Sequence, residues 1–154
     1  MRTAKKFFCA VLVITILSCS HSHYNVSSYS LPKTSTMAVG PFKNLTTYPE
    51  AENIVSEIMT VELTQKKIFK IVDLPKEASH LLTGTITEFR YTKGLAEAPA
   101  VALQVKLIES KSGKVVWRAS GSDLSTESIF ARSASLDELT HNICASLVSS
   151  LVAE

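Results

Sequence analysis

Apolar residues change their period several times along the chain, and each change marks an element. Met37-Ala38-Val39-Gly40-Pro41-Phe42 reads as a strand closed by Gly40 and Pro41. Thr47 then stands three residues before Glu50 with Pro49 between them, a capping box that places proline in the first turn, where its missing N–H costs nothing. Behind it Ile54, Val55, Ile58, Met59 and Val61 recur at helical spacing, and Lys66 and Lys67 suit the negative end of the helix dipole. This pattern predicts an amphipathic helix with one core face.

The period shortens again at Ile68 to Leu74, which reads as a second strand. Leu81 to Tyr91, Ala100 to Ser110 and Lys114 to Ser122 follow, three extended runs rich in Val, Ile, Thr and aromatics. In the middle run Val101, Leu103, Val105 and Leu107 alternate with Ala102, Gln104 and Lys106, so one face is buried and the other is not. Ser110-Lys111-Ser112-Gly113 makes a hairpin turn, with Gly113 free to take positive φ. A last helix begins at Ser135 as cap with Glu138 as its partner, and Leu136, Leu139, Ile143, Leu147 and Leu151 form its apolar stripe. The order is strand, helix, strand, three antiparallel strands, helix. It predicts an α+β fold, a mixed and mostly antiparallel sheet with helices packed on one face.

Residues 36–154 carry this pattern and suffice for one core. Residues 1–18 read differently: Met1, Arg2, Lys5 and Lys6 form a basic start, and Phe7 to Leu17 an apolar run too short for a permanent span. Ile16-Leu17-Ser18-Cys19 closes it as a bacterial lipobox, so cleavage after Ser18 leaves Cys19 to carry acyl chains such as palmitate. Residues 19–35, rich in Ser and without sustained period, read as the lipidated tether. Ser20 follows the anchor in place of an Asp retention signal, which by analogy with lipoprotein sorting points to the periplasmic face of the outer membrane.

Charge changes once the leader is set aside. Three of the 16 Lys and Arg belong to it, leaving 13 basic against 14 acidic groups and a mature net charge of −1. No clustered cationic surface remains to attract nucleic acid. Cys9 leaves with the leader and Cys19 becomes the anchor, so Cys144, on the apolar side of the last helix, reads as a packing thiol with no disulfide partner.

The sequence carries no phosphate-binding glycine loop and no nucleophile elbow. His80 and His141 read as solvated, one at a loop end and one opposite an apolar stripe. Glu50/Glu52 and Asp137/Glu138 sit in first turns, where the helix dipole accounts for them. His21 and His23 lack the second ligand pair and fixed geometry of a metal site. The reading is therefore a protein that is not an enzyme, with no catalytic set, metal or cofactor.

Two segments ask for more than packing. Glu88 to Val101 joins two strands through a connection longer than a hairpin needs, and it carries Arg90, Tyr91, Lys93, Glu97 and Pro99. Asp123 to Ala134 carries Ile129-Phe130 among polar residues, a candidate for contact with lipid.

Several of these stretches resemble known proteins. Ala38-Val39-Gly40-Pro41-Phe42-Lys43-Asn44-Leu45-Thr46, the Phe69-Lys70-Ile71-Val72-Asp73 strand and Gly113-Lys114-Val115-Val116-Trp117 resemble the group that includes the curli exporter CsgG, the N-terminal domain of TolB and the LpoB activator lipoproteins. Thr83 to Tyr91 with Lys93-Gly94-Leu95, Pro99-Ala100-Val101 and Val116 to Gly121 resemble more narrowly the PelC lipoproteins of Pel exopolysaccharide export. That resemblance implies a homo-oligomeric ring under the outer membrane whose acidic opening guides a polysaccharide to a β-barrel porin. The chain departs from the PelC pattern in having Phe89 where Trp is usual, and Gly94-Leu95-Ala96-Glu97-Ala98-Pro99 where the loop is usually more acidic. Phe130 is the nearest counterpart of an aromatic that contacts the membrane in that family. The broader group supplies the alternative, an LpoB-like regulator of a periplasmic peptidoglycan synthase.

Overall fold

The structure, a computed structural model, describes residues 25–26, 31, 35–91, 99–124 and 135–152. Its elements are β1 (Asn25–Val26), β2 (Thr36–Asn44), α1 (Ala51–Lys66), β3 (Lys70–Ile71), β4 (His80–Arg90), β5 (Ala100–Glu109), β6 (Val115–Leu124) and α2 (Leu136–Val152). The strands make one sheet in the order β1-β6-β5-β4-β2-β3. Pairing is parallel on both sides of β2 and antiparallel from β4 to β1, so the sheet is mixed, as the strand order predicts. Both edges are two-residue strands. One of them, β1, comes from the segment read as a tether, with Asn25 opposite Ser120 and Val26 opposite Ala119.

Alternation decides which face is covered. Leu82, Ile86 and Phe89 of β4, Val101, Leu103, Val105 and Leu107 of β5, and Trp117 and Ala119 of β6 are buried in one cluster with Val55, Met59 and Leu63 of α1 and Ile143, Leu147 and Leu151 of α2. Gly84 belongs to the same rows because a Cβ there would run into the Gln104 carbonyl oxygen and the Phe42 ring. The opposite rows carry Thr87, Gln104, Lys106, Arg118 and Ser122, all exposed. Both helices thus lie against one face, and the other is open among the described residues.

Several local expectations change. Gly40 and Pro41 do not close β2; the strand continues to Asn44, with a register irregularity between Val39 and Phe42, where a proline without an N–H is tolerated. The Thr47 capping box does not form: α1 starts at Ala51 behind Glu50, which is left-handed at φ 64° and makes no side-chain cap bond. Glu50 serves by its carbonyl, which accepts from the N–H groups of Asn53 at 3.0 Å and Ile54 at 3.2 Å. Val61, placed on the core stripe by spacing, is exposed, and Leu63 takes the buried position. The Ile68 to Leu74 strand shrinks to Lys70–Ile71. Ser135 does cap α2, its Oγ accepting from the Glu138 N–H at 3.1 Å. Gly113 has φ 69° in the β5–β6 turn, as that turn requires.

Candidate functional site at one end of the sheet

Strand directions bring distant connections together. β2 and β4 run parallel, β5 returns from β4, and Ala100 pairs with both Arg90 and Leu124. The β2–α1 loop, the β4–β5 connection and the start of the β6–α2 connection therefore share one end of the sheet. The described ends of the two segments that sequence reading singled out, Arg90, Ala100 and Leu124, lie there.

The β2–α1 loop is held by one side chain. Asn44 Nδ2 donates to the Tyr48 carbonyl at 2.8 Å and to Glu52 Oε2 at 2.9 Å, while its Oδ1 accepts from the Thr46 N–H at 2.9 Å and the Thr46 hydroxyl at 2.8 Å. The Leu45 N–H donates to the Ile86 carbonyl at 3.0 Å, which ties the loop to β4. This fixes Tyr48 between two aromatics, with its ring centroid 5.0 Å from Phe89 and 5.3 Å from Tyr91. Hydrogen bonding with Tyr91, partial desolvation, and the nearby Tyr91 and Glu50 charges push the Tyr48 phenol above its ordinary value. Phe89 is buried beneath this pair, while Tyr91 is 53% exposed.

Arg90 and Glu88, two apart on the open face, form an ion pair at 2.9 Å with both side chains substantially exposed. Such a pair contributes little to stability. Pro99 is buried at the entry to β5. Lys93 and Glu97 in the β4–β5 connection, Ile129 and Phe130 after β6, and Cys19 lie outside the described residues.

Sequence reading missed Leu45 and Leu124, 57% and 53% exposed at this same end. Each is a large apolar residue just where a strand gives way to a polar loop, and that position is the signal that could have found it. With Tyr91 they are three of the five large apolar residues left exposed among those described.

Other candidates do not build a reaction. His80, expected in solvent, is buried, and burial pushes its imidazole below the ordinary value against the opposing pull of Glu109. Ser79 Oγ lies 3.0 Å from His80 Nδ1, but its proton goes to the Thr36 carbonyl at 2.8 Å, so it is not poised as a nucleophile. His141 faces α1, with Nδ1 3.4 Å from Glu62 Oε1. Cys144 is buried, and desolvation together with the Glu62 charge pushes its thiol up to about 12, far from the thiolate a reactive cysteine needs. Among the described residues no group of three His, Cys, Asp or Glu is placed to hold a metal, and no helix is long and apolar enough to cross a membrane.

The architecture defines a class, an α+β domain whose mixed sheet carries both helices on one face and, among the described residues, leaves the other open. Within that class the particular likeness is to PelC. A substituted form of the PelC dodecamer from Paraburkholderia phytofirmans superposes with a TM-score of 0.73 at 26% identity, over 87% of this chain and 99% of that one. A second crystal form of the PelC dodecamer from the same organism gives 0.73 at 24% identity over the same shares. The lipoprotein GNA1162 from Neisseria meningitidis shares the fold at TM-score 0.50 and 14% identity, over 77% of this chain and 95% of that one. No protein-family model and no curated protein matches the sequence. The chain thus has a PelC-like fold within a group that includes lipoproteins.

Proposed function

We propose that this protein is a PelC-like component of exopolysaccharide export, a lipoprotein that works by assembly and guidance and not by catalysis. The observation that carries the reading is the likeness to PelC dodecamers, which extends over 99% of the PelC chain. In this reading residues 1–18 are removed, Cys19 holds acyl chains in the inner leaflet of the outer membrane, and residues 19–35 lead to the domain at 36–154. Copies form a ring on the periplasmic face and deliver polymer to an outer-membrane porin. The Arg90, Tyr91, Lys93, Glu97 and Pro99 connection faces polymer or the neighbouring copy, and Ile129 and Phe130 touch lipid.

The gathering of three connections at one end of the sheet supports this arrangement. Repeated around a ring, that end would present exposed Tyr91, Leu45 and Leu124 as a continuous rim. A ring edge of this kind offers aromatic and apolar contact to a sugar polymer or a membrane, with the Glu88–Arg90 pair beside it for polar selection.

The test uses the full chain on liposomes. Sedimentation and negative-stain imaging should show closed rings, whereas a monomer at every concentration, with and without lipid, would overturn the assembly reading. Expressed in a Gram-negative cell, Cys19→Ala should leave the membrane fraction or remain unprocessed; unchanged mature mass and membrane partition would overturn the anchor.

A further inference from the structure

We propose that the segment read as a tether is a strap built into the fold: it fastens to the β6 edge and to the core, and leaves residues 19–24 as the whole leash between anchor and domain. The length of the leash rests on the Cys19 reading above. The strap itself does not.

Three described points fasten the segment. Asn25 and Val26 form β1 and pair antiparallel with Ser120 and Ala119 of β6. Leu31 is partly buried and packs against the hydrophobic cluster that both helices cover. Ser35 is 6% exposed, directly before β2. β1 and β2 stand four strand spacings apart in the sheet, about 19 Å, and Leu31, midway between them in sequence, is seated on the core.

Each point answers a need of the domain. β6 is a strand of 10 residues and without β1 would be the bare edge of the sheet, a row of unpaired N–H and C=O groups open to any extended chain. Leu31 withdraws apolar surface from water at the core margin. A segment that served only as flexible length would need neither contact.

Fastening sets the reach of the anchor. Asn25 is six positions after Cys19, and an extended chain spans at most about 3.5 Å per residue, so the β6 edge stays within about 20 Å of the acylated cysteine. Were Thr36 the first fastened residue, seventeen positions after Cys19, the reach would be about 60 Å. A strand of 10 residues is about 34 Å long, so the short leash is less than the length of the domain and the long one well above it. Direction follows from the pairing: β1 runs against β6, so the chain before Asn25 departs toward Leu124. A strapped domain is thereby kept from turning over on its bilayer, and its partners lie within about a domain length of the membrane that holds it. Release of the strap would lengthen the leash about threefold and bare the β6 edge in one step.

The processed full chain in liposomes tests this. Asn25→Cys with Ser120→Cys should close into an intrachain disulfide on mild oxidation, because directly paired strand residues stand within disulfide reach. Asn25→Cys with Thr85→Cys should not, since Thr85 lies two strands further into the sheet. Cys144 is buried and stays out of the reaction. Leu31→Asp, verified as folded by circular dichroism and melting, should release the strap. Trypsin cleavage at Lys33, between the two inner fastening points, should then rise on the order of tenfold or more. A fluorophore on Glu77→Cys, near the β2 and β4 starts and so away from Leu124, should also transfer energy more efficiently to labelled lipid headgroups once the domain can turn over. Should Leu31→Asp misfold, a Gly/Ser insertion between Ser20 and His21 lengthens the leash without touching the strap and should raise the transfer in the same way.

Oxidation that joins Asn25→Cys to Ser120→Cys no faster than to Thr85→Cys would overturn the strap. So would cleavage at Lys33 as fast in the wild type as in a folded Leu31→Asp. Transfer unchanged by the insertion would overturn the short leash. A mature mass without acyl chains would overturn the anchor reading and the leash with it, while the Asn25–Ser120 crosslink would still report the strap.

Discussion

The two faces of one sheet obey different rules, and neighbouring residues on β5 show how sharply. Leu103 is 1% exposed and packs in the cluster with both helices, while Gln104 points to the open side and is exposed. The covered face is specified by volume and apolarity, which stabilise the isolated chain. The open face contributes little of that kind, and Gln104, Lys106 and Ser122 on it are exposed. A face that does not serve the fold of a single copy is free to serve contact with another molecule.

The largest effect should therefore separate those neighbours. Leu103→Ala removes a fully buried side chain and should cost about 2 to 5 kcal/mol, a large share of the roughly 5 to 15 kcal/mol that holds a domain together. Gln104→Ala should stay within about 0.5 kcal/mol. Urea unfolding of both, at concentrations where the chain is monomeric, measures the contrast. Comparable costs for the two would mean that the open face is packed against something within the same chain.

The covered face was the legible one. Alternation in β5, the stripe of α2 and the Ser135 cap are local patterns, and the structure keeps them because packing and pattern agree. The start of α1 was misread because the loop before it obeys Asn44, whose four hydrogen bonds reach both Thr46 and Glu52 and shift the helix start to Ala51. His80 was misread because its burial comes from position at the β4 entry between Met37 and Glu109, a matter of register and not of periodicity. Arg90, Tyr91 and Pro99 were singled out from loop length and composition. Their meeting with Leu45 and Leu124 was not, since it depends on strand order, which no single segment records.

His80 sharpens the contrast at the covered side by pH. Its folded-state affinity for a proton is held below the ordinary 6.5 by desolvation, so above that pH neither folded nor unfolded chain is protonated there and the group is silent. As pH falls below 6.5 the unfolded chain takes up the proton first, and stability declines until the folded-state value is passed. His80→Gln should abolish that part of the acid decline while leaving stability at pH 8 nearly as it was. Unfolding midpoints of both chains from pH 8 to pH 5 decide it; parallel curves would mean that His80 is solvated in the folded chain.

The smallest effect has the opposite sign and belongs to the open face. Lys106 stands directly across from Arg118, and like charges opposite each other on a sheet cost about 0.2 to 1 kcal/mol. Lys106→Gln should therefore leave the monomeric chain as stable as before or slightly more so, with the gain shrinking at high salt, where the screening length falls to about 3 Å at 1 M. Chemical unfolding in dilute solution at low and high salt measures the change. A loss of more than about 0.5 kcal/mol in the monomer, beyond the usual range for a surface change, would mean that Lys106 already has a stabilising partner within its own chain.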